Sequence, residues 1–137
     1  MKVLTVLLLS VFLLSPVFAQ SQRETNRREQ ILLKWAIDGV VPITKDNADG
    51  SQSLAVLASS WYFPLSYTAK AGKPSVLRIY THKTFDCSRA FSIPSMGVQK
   101  LLSPSGVFEV AIPAMKAGAT LFGTCSMGMY TFTIQFL

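Results

Sequence analysis

Residues 123–130, Gly-Thr-Cys-Ser-Met-Gly-Met-Tyr, place one thiol and two thioethers within five consecutive positions. Cys125, Met127 and Met129 are each two residues apart, so an extended or turning backbone can present all three on one side. Gly128 sits between the methionines, where its wide backbone range lets the loop fold back. Thiolate and thioether sulfur are soft donors that select copper(I), and thiolates also suit zinc. Zinc ordinarily takes four ligands from Cys, His and carboxylates, and this chain has a single histidine, His82. The bland role for Met127 and Met129 is gap filling at the end of a barrel. Two methionines flanking a glycine beside a cysteine are unusual as core filler, so the loop reads as a soft-metal site.

Cys87 is the other cysteine of the pair, in Thr84-Phe85-Asp86-Cys87-Ser88-Arg89-Ala90. It can meet Cys125 as a disulfide or as a second thiolate. Either pairing puts the two loops at one end of the fold. The compartment bears on this choice. Residues 1–19 read as a secretory signal: Lys2 is the positive start, Val3 to Leu14 is apolar apart from Thr5 and Ser10, and Val17-Phe18-Ala19 suits a signal peptidase. Cleavage is predicted after Ala19, with an uncleaved membrane anchor as the alternative. The folded part is then expected outside the cytoplasm, periplasmic or extracellular, where lone cysteine pairs are commonly bridged. A disulfide closing 125 − 87 = 38 residues would contribute roughly 3–4 kcal/mol. The adjacent thioethers favour metal, because a structural disulfide has no use for them.

Other residues offer less. His82 follows a strand end beside Lys83 and reads as a surface histidine. Met96 reads as core and Met115 as part of a turn. Nucleophilic catalysis needs a histidine near its nucleophile, no phosphate-binding glycine motif is present, and the seven acidic residues are thinly spread. No enzyme is indicated. The formal charge is +6, and its densest cluster, Arg23, Arg27 and Arg28, is interleaved with Glu24 and Glu29. That pattern suits a solvated or membrane-adjacent linker better than a nucleic-acid surface.

The elements that must carry the sulfur loop are short strands. Half of the 137 residues are hydrophobic, enough for one domain with a real core. Residues 20–30 are polar, and 31–37 can be a helix or a strand. The cluster Asp46-Asn47-Ala48-Asp49-Gly50 reads as a boundary, which gives a leader at 1–19, an extension at 20–50 and a compact domain at 51–137. Within it, strands are predicted at 54–58, 65–69, 76–81, 91–93, 98–102, 107–112, 119–124 and 130–136. Val76 to Thr81, Val107 to Ile112 and Tyr130 to Phe136 alternate with period two. Short strands with turn signals at this spacing predict an all-β antiparallel sandwich or barrel.

Two segments also resemble a known family. Phe85 to Leu101 holds a cysteine, then Ile93-Pro94, then Met96-Gly97-Val98. Ala117-Gly118 through Phe122-Gly123-Thr124-Cys125-Ser126-Met127-Gly128-Met129 is similar to an Ala-Gly…Phe-x-Cys-x-Met-Gly-Met signature. Both resemble the cupredoxin-like domains found in EfeO proteins and in the membrane-anchored copper(I)-binding cupredoxins of copper-resistance systems. The resemblance spans about residues 52–137. It implies a cupredoxin-like antiparallel Greek-key β-sandwich. It also implies Cys87 and Cys125 as a tight copper(I) pair, with Met127 and Met129 as weaker exchange ligands. The expected function is a copper chaperone or buffer that meets a copper-delivering or copper-accepting protein at the cell envelope. Two positions depart from the pattern: Met96 stands where leucine is common, and Gly123 where a bulkier residue is frequent. Blue-copper centres need two histidines, so an electron carrier would have an atypical site. A metal-free, disulfide-bonded interaction module is the other alternative.

Overall fold

Leu77 and Ile79 point into the core while Val76, Arg78 and Tyr80 stay partly exposed, so the predicted alternation becomes a two-faced strand. The same conversion holds for Phe132, Ile134 and Phe136 against Thr131, Thr133 and Gln135. The computed structural model describes Arg23 and residues 43–137. The chain divides into two units, Met1–Asp38 and Gly39–Leu137. The predicted leader and the helix-or-strand stretch at 31–37 lie outside the described residues. Among the described residues, no helix is long and apolar enough to cross a membrane.

In the second unit the strands are β1 (Thr44–Asp46), β2 (Gln52–Ala58), β3 (Tyr62–Phe63), β4 (Ser66–Ala69), β5 (Ser75–Thr81), β6 (Ala90–Ile93), β7 (Val98–Leu101), β8 (Gly106–Ile112), β9 (Thr120–Cys125) and β10 (Thr131–Phe136). Two 3-10 turns, Cys87–Arg89 and Pro94–Met96, flank β6. One sheet runs β1-β2-β5-β8 with β3 also paired to β2, and the other runs β4-β10-β9-β6-β7. This is an all-β, cupredoxin-like sandwich, as the sequence predicts.

Two details differ from the sequence reading. The pairs β2·β5 and β4·β10 are parallel, with Leu54 opposite Leu77 and Tyr67 opposite Ile134. The chain leaves the first sheet at β3 and runs through β4 in the second. It then returns beside β2 in the same direction, which no two-residue hairpin can do. The turn cluster at 46–50 is a hairpin joining β1 to β2, with Lys45 opposite Ser53. The first sheet therefore starts seven residues before position 51. Asp46 at the end of β1 accepts hydrogen bonds from Lys70 and, at 3.1 Å, from Lys73. At this exposure the ion pairs add little stability.

The core lies between the sheets. Leu54, Val56, Leu77 and Ile79 face Leu121, Ile134 and Phe136 across it. Each fully buried side chain of this size contributes roughly 1.5–3 kcal/mol. Nearer the sulfur loop the packing turns aromatic. The rings of Phe91 and Phe132 stack with centroids 6.0 Å apart, and Tyr62 meets Phe132 edge-on at 5.4 Å. Phe132 lies opposite Gly123 in the β9·β10 ladder, and its ring occupies the space that a Cβ at Gly123 would need. The glycine that departs from the family pattern is thus required by the aromatic ring beneath it.

Candidate metal centre

Strand pairing brings the two cysteine loops together. β6 and β9 are antiparallel neighbours with Phe91 opposite Cys125, and the Ser126 N–H donates to the Ala90 carbonyl at 2.8 Å. Cys87 precedes β6 and Cys125 ends β9, so both thiols fall at the same end of the same sheet. Neither cysteine is disulfide-bonded.

Asp86 fixes the Cys87 loop. One carboxylate oxygen accepts from the Ser88 N–H at 2.8 Å and the other from the Ser60 hydroxyl at 2.8 Å. It caps the 3-10 turn that starts at Cys87. Below this turn, the buried Tyr62 hydroxyl donates to the Ser88 carbonyl at 2.9 Å. Thr84 ties the loop to β2 through its hydroxyl and the Ala58 carbonyl at 2.9 Å. Arg89 donates to the Leu102 carbonyl at 2.7 Å.

The Cys125 loop closes differently. The Gly128 N–H donates to the Cys125 carbonyl at 2.9 Å, and the Cys125 N–H to the Tyr130 carbonyl at 3.0 Å. Gly128 takes φ +70°, the left-handed conformation that glycine enters without strain. The turn points backbone N–H groups at the Cys125 sulfur. Tyr130 N–H lies 3.4 Å from it, and those of Met127 and Met129 join. Such a cluster of N–H dipoles forms a small anion cradle.

Cys87, Cys125 and the Tyr130 hydroxyl lie close enough to act on one another's ionisation. Burial disfavours the Cys125 thiolate, but the three backbone N–H groups and the Cys87 thiol outweigh it and hold this thiol below the ordinary range. Burial and the negative charge of Cys125 push the Cys87 thiol up. Thiolate ultraviolet absorbance of the reduced protein is therefore expected to rise in two steps, one below and one above the ordinary thiol range. The steps belong to the pair. One combined step at the ordinary position would contradict the arrangement.

The methionines do not join the buried pair. Cys125 is 1% exposed, whereas Met127 is 71% and Met129 64% exposed. The chain turns at Ser126–Gly128, and strand alternation stops there. Met96 and Met115 are partly buried against the core, and His82 is exposed at the end of β5. Phe85 stands out beside the Cys87 loop at 76% exposure. Among the described residues, no three His, Cys, Asp or Glu side chains gather as a harder metal would require. The donor set at this end is sulfur, which fits copper(I).

Sequence reasoning missed Asp86 and Tyr130 as supports. The Asp-x-Ser spacing at 86–88 was a readable cap signal. Tyr130 carried no signal, because it read as the first inward residue of the last strand.

Asp86 supplies a test of the supporting shell. Burial works against its carboxylate, but hydrogen bonds from Ser88 and Ser60 hold its pKa below the ordinary carboxylate value. A depressed carboxylate contributes stability that is present above the unfolded pKa, about 3.9, and is lost as pH falls through the folded value. Asp86→Ala is expected to cost about 1 kcal/mol through the lost cap. Asp86→Asn should keep the cap on the Ser88 N–H through its amide oxygen, turn its amide N–H towards the Ser60 hydroxyl as donor, and flatten this part of the acid limb. Urea unfolding followed across acidic pH reads both. Equal stability of wild type and Asp86→Ala at neutral pH would remove Asp86 from the supporting shell.

The fold and the loop end define a cupredoxin-like domain with a reduced dithiol at its rim. The chain is similar to two solved copper proteins. One is the metal-binding domain of the Streptococcus pneumoniae D39 Cu(I)-exporting P-type ATPase CopA, in a crystal structure with Cu(I). The TM-score is 0.59 at 14% identity, over 66% of this chain and 90% of that one. The other is a copper binding protein solved by NMR in the apo form, with TM-score 0.61 at 19% identity, over 69% of this chain and 94% of that one. At these identities the likeness is one of fold. No family model matches the chain, and no curated protein matches it.

Proposed function

We propose that this protein is an exported, cupredoxin-like copper(I) chaperone or buffer that binds its cargo through sulfur. The observation that carries the reading is the β6·β9 pairing, which brings the unbridged Cys87 and Cys125 to the end that also exposes Met127 and Met129. Cys87 and Cys125 form the tight site, with the S–H proton between them displaced when the metal binds. Backbone N–H groups keep the Cys125 thiolate in place. Met127 and Met129 present thioethers to solvent, where incoming copper(I) meets them first. Thioethers carry no proton to displace, so this port keeps working in acid while the thiolate pair weakens.

Both the fold shared with copper-binding domains and the resemblance to copper(I)-binding and EfeO-type cupredoxins support the reading. The chain acts as a binding protein and not as an enzyme. Its partner is a copper-delivering or copper-accepting protein at the cell envelope. Residues 1–19 direct export or anchor the chain. The test is anaerobic copper(I) titration against a chromogenic competitor. It compares wild type with Cys87→Ala, Cys125→Ala and the Met127→Ala/Met129→Ala double variant. Equal affinity in all four proteins would sink the proposal.

A further inference from the structure

Six of the eight large hydrophobic side chains exposed among the described residues lie at one end of the sandwich: Leu65, Phe85, Leu101, Val107, Met127 and Met129. They sit on or beside the connections 59–65, 82–89, 102–105 and 126–130. Strand pairing gathers these connections, with Ala58 opposite Thr81, Thr81 opposite Gly106, Ala90 opposite Leu101 and Phe91 opposite Cys125. Phe85 is 76% exposed on a backbone that is tied down. The Lys83 N–H donates to the Ser105 hydroxyl, the Thr84 N–H to the Pro104 carbonyl and the Thr84 hydroxyl to the Ala58 carbonyl, each at 2.9 Å. Lys83 takes φ +48°, a left-handed conformation that a non-glycine residue enters at a cost. A ring held out on a fixed loop loses little freedom on binding. The charge at this end is positive: Lys83 is exposed, Arg89 is half-buried, and exposed Lys100 carries its ammonium over the Phe108 ring. The acidic residues of 43–137 do not offset it. Asp46 and Asp49 lie at the opposite end of β2, Glu109 is paired with Arg78, and Asp86 is engaged by Ser60 and Ser88.

From this arrangement we infer that this end of the domain docks on an anionic phospholipid surface, with Phe85, Met127 and Met129 entering the headgroup boundary and Lys83 and Arg89 meeting lipid phosphates. Apolar tips with basic neighbours bind such a surface by burying area and by attraction to anionic headgroups. The apolar groups are divided among separate connections, which suits a fluid surface that each tip enters on its own. A protein partner is instead gripped through a central cluster of anchors in pockets. Half-buried Trp61, on the connection after β2, belongs at the same boundary, because its ring is apolar and its N–H polar. The hairpin that carries Asp46 and Asp49 faces water. Docking sets the Cys87 and Cys125 loops at the bilayer surface, but the inference stands apart from the copper reading and needs no metal.

The test reconstitutes the full chain, as its Trp35→Phe variant so that Trp61 is the sole tryptophan, into vesicles of phosphatidylcholine alone or of equal parts phosphatidylcholine and phosphatidylglycerol. Any attachment through residues 1–19 is common to both. Lipids brominated in the acyl chain quench a tryptophan held at the boundary. Quenching of Trp61 is expected to be at least about threefold stronger in the anionic vesicles, and to weaken as salt screens the charge. Phe85→Ser and Lys83→Glu should each remove most of that excess and leave the circular dichroism unchanged, since both side chains are exposed. Equal quenching in the two vesicles would overturn the inference. So would an excess that survives both substitutions, which would place the attachment elsewhere. Soluble polyglutamate that displaces this end from the anionic vesicles at matched charge would reassign it to an acidic protein and overturn the lipid surface. Copper is absent throughout, so failure here leaves the copper reading intact. The copper titration uses no vesicles, so its failure leaves the docking surface standing.

Discussion

Cys125→Ala is expected to remove tight copper(I) binding while leaving the sandwich folded. The sulfur sits at the end of β9 and is 1% exposed. It accepts the Tyr130 N–H at 3.4 Å. Nothing else in that turn can replace it, since Met127 and Met129 point outward. Losing it should weaken copper(I) binding by more than about 100-fold, because outer-shell changes alone reach 10–100-fold at metal sites. Cys87→Ala should do the same from the other loop. Removing both thioethers should leave the affinity near wild type and slow the transfer of metal between protein and competitor. The cost in stability of truncating Cys125 is small, about 1 kcal/mol for one buried group of this size. Circular dichroism will therefore separate loss of the site from loss of the fold. Wild-type affinity in Cys125→Ala would move the site away from this loop.

Gly123→Ala is expected to be among the most damaging single-methyl changes in the domain. The added Cβ would overlap the Phe132 ring. That ring cannot simply retreat, because it is fully buried between Phe91 and Tyr62. Overpacking of this kind costs about 2–3 kcal/mol, which corresponds to a fall in Tm of roughly 10–20 °C for a domain of this size. Gly123 lies two residues before Cys125, so the displaced strand should also disturb the sulfur turn. The physical cause can be isolated with Phe132→Leu, which opens space over position 123. The double variant should be less destabilised than the sum of the single ones, with a coupling of about 1–2 kcal/mol. Strict additivity would mean that the ring is not what excludes a side chain at 123.

These expectations rest partly on features legible in the chain itself. Val76 to Thr81 and Tyr130 to Phe136 announced their strands, because a half-buried strand must alternate polar and apolar residues. The sulfur types and their spacing at Cys125, Met127 and Met129 announced soft-donor chemistry, because donor softness belongs to the side chain and needs no fold. The hairpin at 46–50 was misread as a boundary, since the same turn residues serve a connection within a sheet and a break between units. The parallel pairs β2·β5 and β4·β10 left no trace in local pattern, because strand direction depends on where the chain crosses between sheets.

The end of the fold that holds Cys125 divides in the same way. Sequence alone determined which atoms are available there: two thiols, two thioethers, and a glycine that lets the loop turn. Tertiary structure alone decided their arrangement. The β6·β9 pairing brings Cys87 to Cys125 across 38 residues of chain. The turn at Ser126–Gly128 sends the thioethers outward, and the Phe132 ring requires a glycine at 123. Each of these depends on contacts between distant segments, and a local pattern carries no record of such contacts.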